Sequence, residues 1–411
     1  MSTLLIKNIG RLQTPVGSFS HRGKLQRENL KLDEASILIE NGIIKSIVQG
    51  GKLPCGPDEA DEVLDAQGNL VTPGLIDGHT HLVFGGYRQN EILMKLAGAT
   101  YIDILKSGGG ILDTVVKTRE ATMETLYEKS KSFLNEMLSM GVTSCEIKSG
   151  YGLNLETELK CLEIISQLSK KHPMDIVATY MGAHAVPPEY EKKSNDFIEK
   201  LVRDDLPKIK ESGLAAYTDI FCETGVFSEK ETRKYMKKAK ELGFKLRVHA
   251  DEIEEIGGSI LAGKMRAVSA EHLIAIGEKG LDALEAGGTI AMLLPATSFY
   301  LDKPFAPARK MIEKEIPVAM ASDFNPGSCP SLNLQLVINL GYLKYNLFPE
   351  EILTAVTINP ACALGIQEKT GTIEEGKQAD LVIWNAPDFE MLCYRFGSNL
   401  ALKTIKKGKI I

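Results

Sequence analysis

Gly74-Leu-Ile-Asp-Gly-His-Thr-His81 is a short apolar run that ends in two histidines one residue apart. In an extended strand, residues i and i+2 project to the same side, so the His79 and His81 imidazoles can meet a single metal ion. A His-x-His pair on its own is as compatible with hydrogen-bonded or solvent-facing histidines. Its meaning depends on what the rest of the chain brings to it.

Working outward, strand-like apolar runs recur at about 74–79, 142–147, 175–180, 217–222, 245–250, 267–272, 289–294 and 317–322. The stretches between them include helical periodicity. From Thr122 to Met140 the apolar residues Leu126, Phe133, Leu134, Met137 and Leu138 share one helical face, and Gly141 stops it. Eight β/α units predict a closed (β/α)8 TIM-like barrel. An open doubly wound sheet is disfavoured because no Gly-rich dinucleotide fingerprint follows an early strand.

Both chain ends read differently. Ser36–Glu40 and Ile43–Val48 flank Asn41-Gly42, a pair suited to a type I′ hairpin. Asp380–Trp384 and Ala401–Ile411 are strand-like again. The two ends are expected to share one sheet structure, a small β-sandwich domain of residues 1–73 and 366–411 beside a barrel of residues 74–365. Residues 10–33 and 184–196 read as polar loops, and Ser107-Gly-Gly-Gly110 as a hinge.

The 411 residues carry 48 basic and 54 acidic side chains, a net charge of −6 with the signs interspersed. Neither nucleic acid nor a membrane surface is favoured as a partner. No signal-peptide pattern and no apolar run of membrane-spanning length is found, which makes the cytoplasm the expected compartment. The seven cysteines form no Cys-x-x-Cys pair and are expected to be reduced and mostly buried.

Seven histidines are present. His184 follows the third strand, and His249 and His272 end the fifth and sixth. His21 and His172 lie in polar stretches and read as solvated. The eighth strand, Ile316-Pro-Val-Ala-Met-Ala-Ser-Asp323, ends in an aspartate, which is also a common helix N-cap. In a barrel the C-terminal strand ends converge at one mouth, so these distant residues become neighbours.

His-x-His after strand one, histidines after strands five and six, and Asp after strand eight together resemble the amidohydrolase superfamily. Val71–His79, Thr357-Ile-Asn-Pro-Ala361 and Gly371–Asp380 look like its signatures too, so the resemblance spans essentially the whole chain. It implies one divalent metal, Zn²⁺ or Fe²⁺, held by His79, His81, His249 and Asp323. Binuclear members bridge two metals through a carboxylated lysine ending strand four. This chain reads Ala215–Cys222 there, with no lysine, and Lys148 after strand two is out of place for the role. By the same resemblance Asp323 accepts a proton from metal-activated water, His272 orients the nucleophile or polarises a carbonyl, and Glu252 passes a proton to a ring nitrogen.

His79–Arg88, Glu146–Gly152, Tyr180–Ala185 and Ser322–Ser328 are similar to the imidazolonepropionase family within that superfamily. This implies 4-imidazolone-5-propanoate as the small-molecule substrate. Arg88 would clamp its propionate through paired charge-assisted hydrogen bonds. Tyr151 and His184 would contact the ring or propionate, and Asn325, Gly327 and Ser328 the ring-opened product. The Gly327 amide is a candidate anion donor. The resemblance also implies a homodimer.

Overall fold

In the computed structural model, which describes residues 2–98 and 108–411, β1 (Thr3–Thr14) pairs antiparallel with β2 (Leu30–Glu40). Asn41 and Gly42 both take positive φ, 51° and 82°, and return the chain into β3 (Ile43–Val48), the geometry a type I′ turn requires. β4 (Glu62–Asp65) and β5 (Leu70–Pro73) lie parallel on the other edge of β1.

The polar run 10–33 is therefore not all loop. Arg11 and Gln13 are paired with Asp33 and Lys31 across the ladder, with Arg11 Nε 3.0 Å from Asp33 Oδ1. Between these polar pairs Leu12, fully buried, lies opposite Leu32, so an apolar pair and an exposed ion pair alternate along the ladder. Residues 194–196 likewise begin the helix Ser194–Lys200. Ser107, the start of the expected hinge, lies outside the described residues.

A single glycine separates β5 from β6 (Leu75–Asp77), the first strand of a second, wholly parallel sheet. β7 (Val142–Lys148), β8 (Asp175–Ala183), β9 (Tyr217–Cys222), β10 (Lys245–Ala250), β11 (Ser269–His272), β12 (Ile290–Leu293) and β13 (Val318–Met320) follow, each paired to the one before. Beyond the last strand, Thr80 bridges Phe324 in parallel and nearly closes the ring into the expected (β/α)8 barrel.

The helix over Met123–Ser139 is capped by the Thr122 side chain and buries Leu126, Phe133, Leu134, Met137 and Leu138, the face read from the sequence. Gly141 follows at φ 91°. A Cβ there would stand 2.9 Å from the Trp384 ring, so the turn and the packing both require glycine.

β14 (Leu381–Trp384), β15 (Ala401–Lys406) and β16 (Lys409–Ile410) return to the first sheet through β5, in the order β16-β15-β14-β5-β1-β2-β3. The two chain ends thus share one mixed sheet, with Ile6, Ile37, Val71, Leu381 and Ile405 in its core. Lys406, fully buried, ties that sheet to the barrel. Its Nζ lies 2.7 Å from both Asp380 and Asp175, the first residue of β8.

All seven cysteines are free and five are buried. Two expectations fail: His21 is fully buried with Nε2 2.8 Å from the Val16 carbonyl, and buried His172 meets Asn135 at 3.0 Å. Polar neighbours in sequence say nothing about what packs over a loop in space. Among the described residues no helix is long and apolar enough to cross a membrane.

Lys406→Met should destabilise the chain by about 3–5 kcal/mol, because it strands a buried carboxylate, Asp380, without its cation. Urea unfolding checks this, and a midpoint equal to wild type would show that the tie carries no stability.

Candidate active site

Backbone pairing fixes the His-Thr-His segment on both sides. Thr80 Oγ1 donates to the Glu146 carbonyl at 2.7 Å, and the Lys148 N–H to the Thr80 carbonyl at 2.9 Å. On the other flank the Asp323 N–H donates to the His79 carbonyl at 3.1 Å, and the His81 N–H to the Phe324 carbonyl at 2.9 Å. Thr80 faces away from the axis and both imidazoles face inward, with ring centroids 5.2 Å apart.

His249, from β10, brings its Nε2 to 3.3 Å from His81 Nε2. Asp323 Oδ1 stands 3.4 Å from His79 Nε2 and 3.7 Å from His81 Nε2. One nitrogen from each of the three histidines falls within a 4.8 Å cluster, and all three are buried. His79 Nε2 is buried with no hydrogen-bond partner. Such an atom is costly unless something binds it. Burial, then nearby positive charge, pushes His79 and His81 well below the usual imidazole range, keeping them neutral as ligands must be. The donor set fits a divalent metal.

His272 sits beside this group, its ring 5.2 Å from His249 and 5.9 Å from His79, and its Nε2 is 3.6 Å from Glu252 Oε2. Burial raises the Glu252 carboxyl to about 7. Asp323 is also pushed up to about 7 by burial, against a 2.6 Å hydrogen bond donated by Thr297; a cation beside it would draw it back down. His272 and Asp323 both hold left-handed backbone, at φ 68° and 55°. Histidine and aspartate tolerate this region better than most residues, and here it turns the chain sharply at the end of β11 and just beyond β13.

On the outer side, His184 stacks on His81 at 4.7 Å and donates from Nδ1 to the Gly150 carbonyl at 3.0 Å. Tyr151 packs 5.3 Å from His184 and 6.0 Å from His81. Arg88 is half-buried, with its Nε lacking a partner, close enough to Tyr151 and His184 to act on their ionisation. The 325–328 loop closes on itself: Asn325 Oδ1 accepts from the Gly327 and Ser328 amides, both at 2.8 Å. The Gly327 amide therefore does not stand free for an anion, as the sequence alone led us to expect. A cavity of about 860 Å³ between residues 186–194 and 223–231 includes none of these side chains.

Beneath the histidines lies a set of side chains that the sequence reading passed over: Glu146, Asp219, Arg247 and Glu271, all fully buried. Lys148 belongs with them, paired to Glu146 at 2.8 Å and Asp219 at 2.9 Å, so it faces neither a second metal nor a substrate. Alternation was the available signal, because Arg247 precedes His249 by two residues and so shares its face of β10.

The sequence profile of the amidohydrolase family matches residues 70–411. The chain is 50% identical to imidazolonepropionase of Treponema denticola over 91% of both chains. It is 47% identical to that of Alkaliphilus metalliredigens over 100% of this chain and 98% of the relative. The chain belongs to the imidazolonepropionases of the amidohydrolase family.

Solved structures agree on the fold alone. A 5-methylcytosine deaminase from Klebsiella pneumoniae superposes with a TM-score of 0.76 at 18% identity, covering 99% of this chain and 97% of that one. An adenosine deaminase from Xanthomonas campestris with bound zinc gives 0.69 at 17%, covering 100% and 92%.

In this amidohydrolase the Arg88 guanidinium lies directly over Gly327, where an added Cβ would come within 1.0 Å of Nη2. Gly327→Ala should therefore lower hydrolytic activity as far as Arg88→Ala does, leave the thermal midpoint nearly unchanged, and add nothing in the double variant. Steady-state kinetics on the three variants decide; additive losses would separate the two residues.

Proposed function

We propose that this chain hydrolyses the ring amide C–N bond of 4-imidazolone-5-propanoate to N-formimidoyl-L-glutamate, the third step of histidine degradation. The supporting observation is a half-buried guanidinium with an unpartnered Nε, set with Tyr151 and His184 beside a cluster of three buried histidines. That arrangement offers an anchor for a carboxylate on one side of the Tyr151 and His184 rings and a hydrolytic centre on the other.

His79, His81, His249 and Asp323 would hold one divalent metal, Zn²⁺ or Fe²⁺. Such an ion supplies Lewis acidity and a water whose pKa is drawn toward ~7. β9 offers no lysine to bridge a second ion, and Lys148 is already spent in ion pairs. Asp323 accepts the proton of the attacking water. His272 orients that water and the ring carbonyl, and Glu252, 3.6 Å from His272, delivers a proton to the departing ring nitrogen. Water oxygen is thereby added to the carbonyl carbon, and the freed nitrogen gains hydrogen.

Arg88 clamps the propionate, and Tyr151 with the His184 ring walls the imidazolone. Asn325, Gly327 and Ser328 form the surface against which the ring-opened product lies, with Gly327 keeping Arg88 in place.

We also propose a division at Gly74, with residues 74–365 as the hydrolase barrel and residues 1–73 with 366–411 as the smaller domain, since β5 and β6 belong to different sheets. A cytoplasmic homodimer completes the proposal. Exposed Phe299, Tyr300, Tyr342, Leu343 and Tyr394 on mutually packed helices offer an apolar face for a second copy.

Imidazolone propionate generated freshly from urocanate should be consumed by the metal-loaded chain, with about one metal per chain by elemental analysis. Asp323→Ala should abolish turnover, and Arg88→Ala should lower kcat/KM on the order of 10²-fold, as expected for a lost charge-assisted pair. Deamination of cytosine or guanine in place of ring opening would overturn the assignment, and an unchanged KM in Arg88→Ala would place the propionate elsewhere.

A further inference from the structure

A barrel interior is ordinarily filled by branched apolar side chains. Here the space under the histidines holds five ionisable groups instead, and they form a connected path. His79 Nδ1 lies 2.8 Å from Glu271 Oε2, and Glu271 Oε1 lies 3.5 Å from Arg247 Nη1. Arg247 Nε is 3.4 Å from Glu146 Oε1, which is 2.8 Å from Lys148 Nζ. Lys148 Nζ is 2.9 Å from Asp219 Oδ2, and Asp219 Oδ2 is 3.1 Å from His249 Nδ1. Anion and cation alternate from one histidine to the other, the His79–Glu271 and Glu146–Lys148 links as hydrogen bonds and the rest as charge contacts, and every member between them is fully buried.

Side contacts hold the path in place. Ser269 Oγ donates to Glu271 Oε1 at 2.5 Å, and Thr179 donates to Glu146. Arg247 Nη1 and Nη2 donate to the carbonyls of Gly78, next to His79, and Ala363. Asp219 Oδ1 accepts the backbone N–H of His249 itself, at 3.2 Å.

We propose that Glu146, Lys148 and Arg247 are positioning residues that press Asp219 and Glu271 against the Nδ1 sides of His249 and His79, and so set the affinity of the histidine cluster for its metal. The inference rests on the reading that these histidines hold a divalent ion. A carboxylate at Nδ1 selects the tautomer whose Nε2 lone pair points at the metal and makes that nitrogen a better donor. Three carboxylates buried this close together would repel one another and move apart without the two cations between them. Because Glu146 touches both cations, a change in one branch is felt in the other.

The test loads the full chain with Zn²⁺ and titrates it with a chelator, reading zinc retained per folded chain, with far-UV circular dichroism to establish folding. Lys148→Met and the near-isosteric Glu271→Gln should each weaken zinc retention by ~10–100-fold, the range for loss of an outer-shell partner. The rise in melting temperature on adding zinc should shrink in parallel. Glu351→Gln, which weakens a half-buried pair with Arg309 outside the path, should leave zinc retention at the wild-type value. If Lys148→Met fails to fold, the near-isosteric Glu146→Gln, at the position between both cations, takes its place with the same expected loss. Folded variants that hold zinc as wild type does overturn this inference while leaving the metal reading intact; a wild-type chain that holds no zinc overturns both.

Discussion

Two backbone hydrogen bonds at the seam of the barrel set the conditions for everything at its mouth. The Asp323 amide donates to the His79 carbonyl, and the His81 amide to the Phe324 carbonyl, joining the segment after the first strand to that after the last. Because bonded neighbouring strands lie about 4.8 Å apart, this seam brings an aspartate and two histidines more than two hundred residues distant within a metal's reach. The remaining ligand candidate, His249, lies near the end of a regular strand on the opposite wall, its backbone N–H held by Asp219.

The seam is reinforced below by Asp77, whose carboxylate accepts the Ser322 amide at 3.1 Å. Burial raises this carboxyl to about 6, which makes it one more costly polar group in a region that could have been apolar. The same holds for the ion-paired layer between β7 and β11. These features trade stability for geometry, as functional sites commonly do. The apolar packing of the barrel helices and the Lys406 tie to the terminal sheet lie away from that expense and offset it.

Much of the site was legible because amidohydrolase chemistry puts its residues at strand ends, where a polar residue interrupts an apolar run. His79, His81, His249, His272 and Asp323 all carry that signal. His184, just past β8, carries it too, but Arg88, Tyr151, Asn325, Gly327 and Ser328 do not, and are legible only through family likeness; loops follow no periodicity, so composition cannot say which of their side chains turn inward. The close seating of Arg88 on Gly327 joins two segments almost 240 residues apart, which no local pattern encodes.

By itself the sequence determined the eight strands, the type I′ hairpin at Asn41-Gly42, the helix over Met123–Ser139 and the identities of the groups at the mouth, because each depends on periodicity or turn chemistry over a few residues. Only the tertiary structure decided that His21 and His172 are buried, that Arg11 to Thr14 pair in a ladder, that the Gly327 amide is occupied, and that Lys148 belongs to a chain of buried charges. Those outcomes depend on which distant segment arrives alongside, and a burial or an ion pair belongs to both partners, not to either stretch of sequence alone.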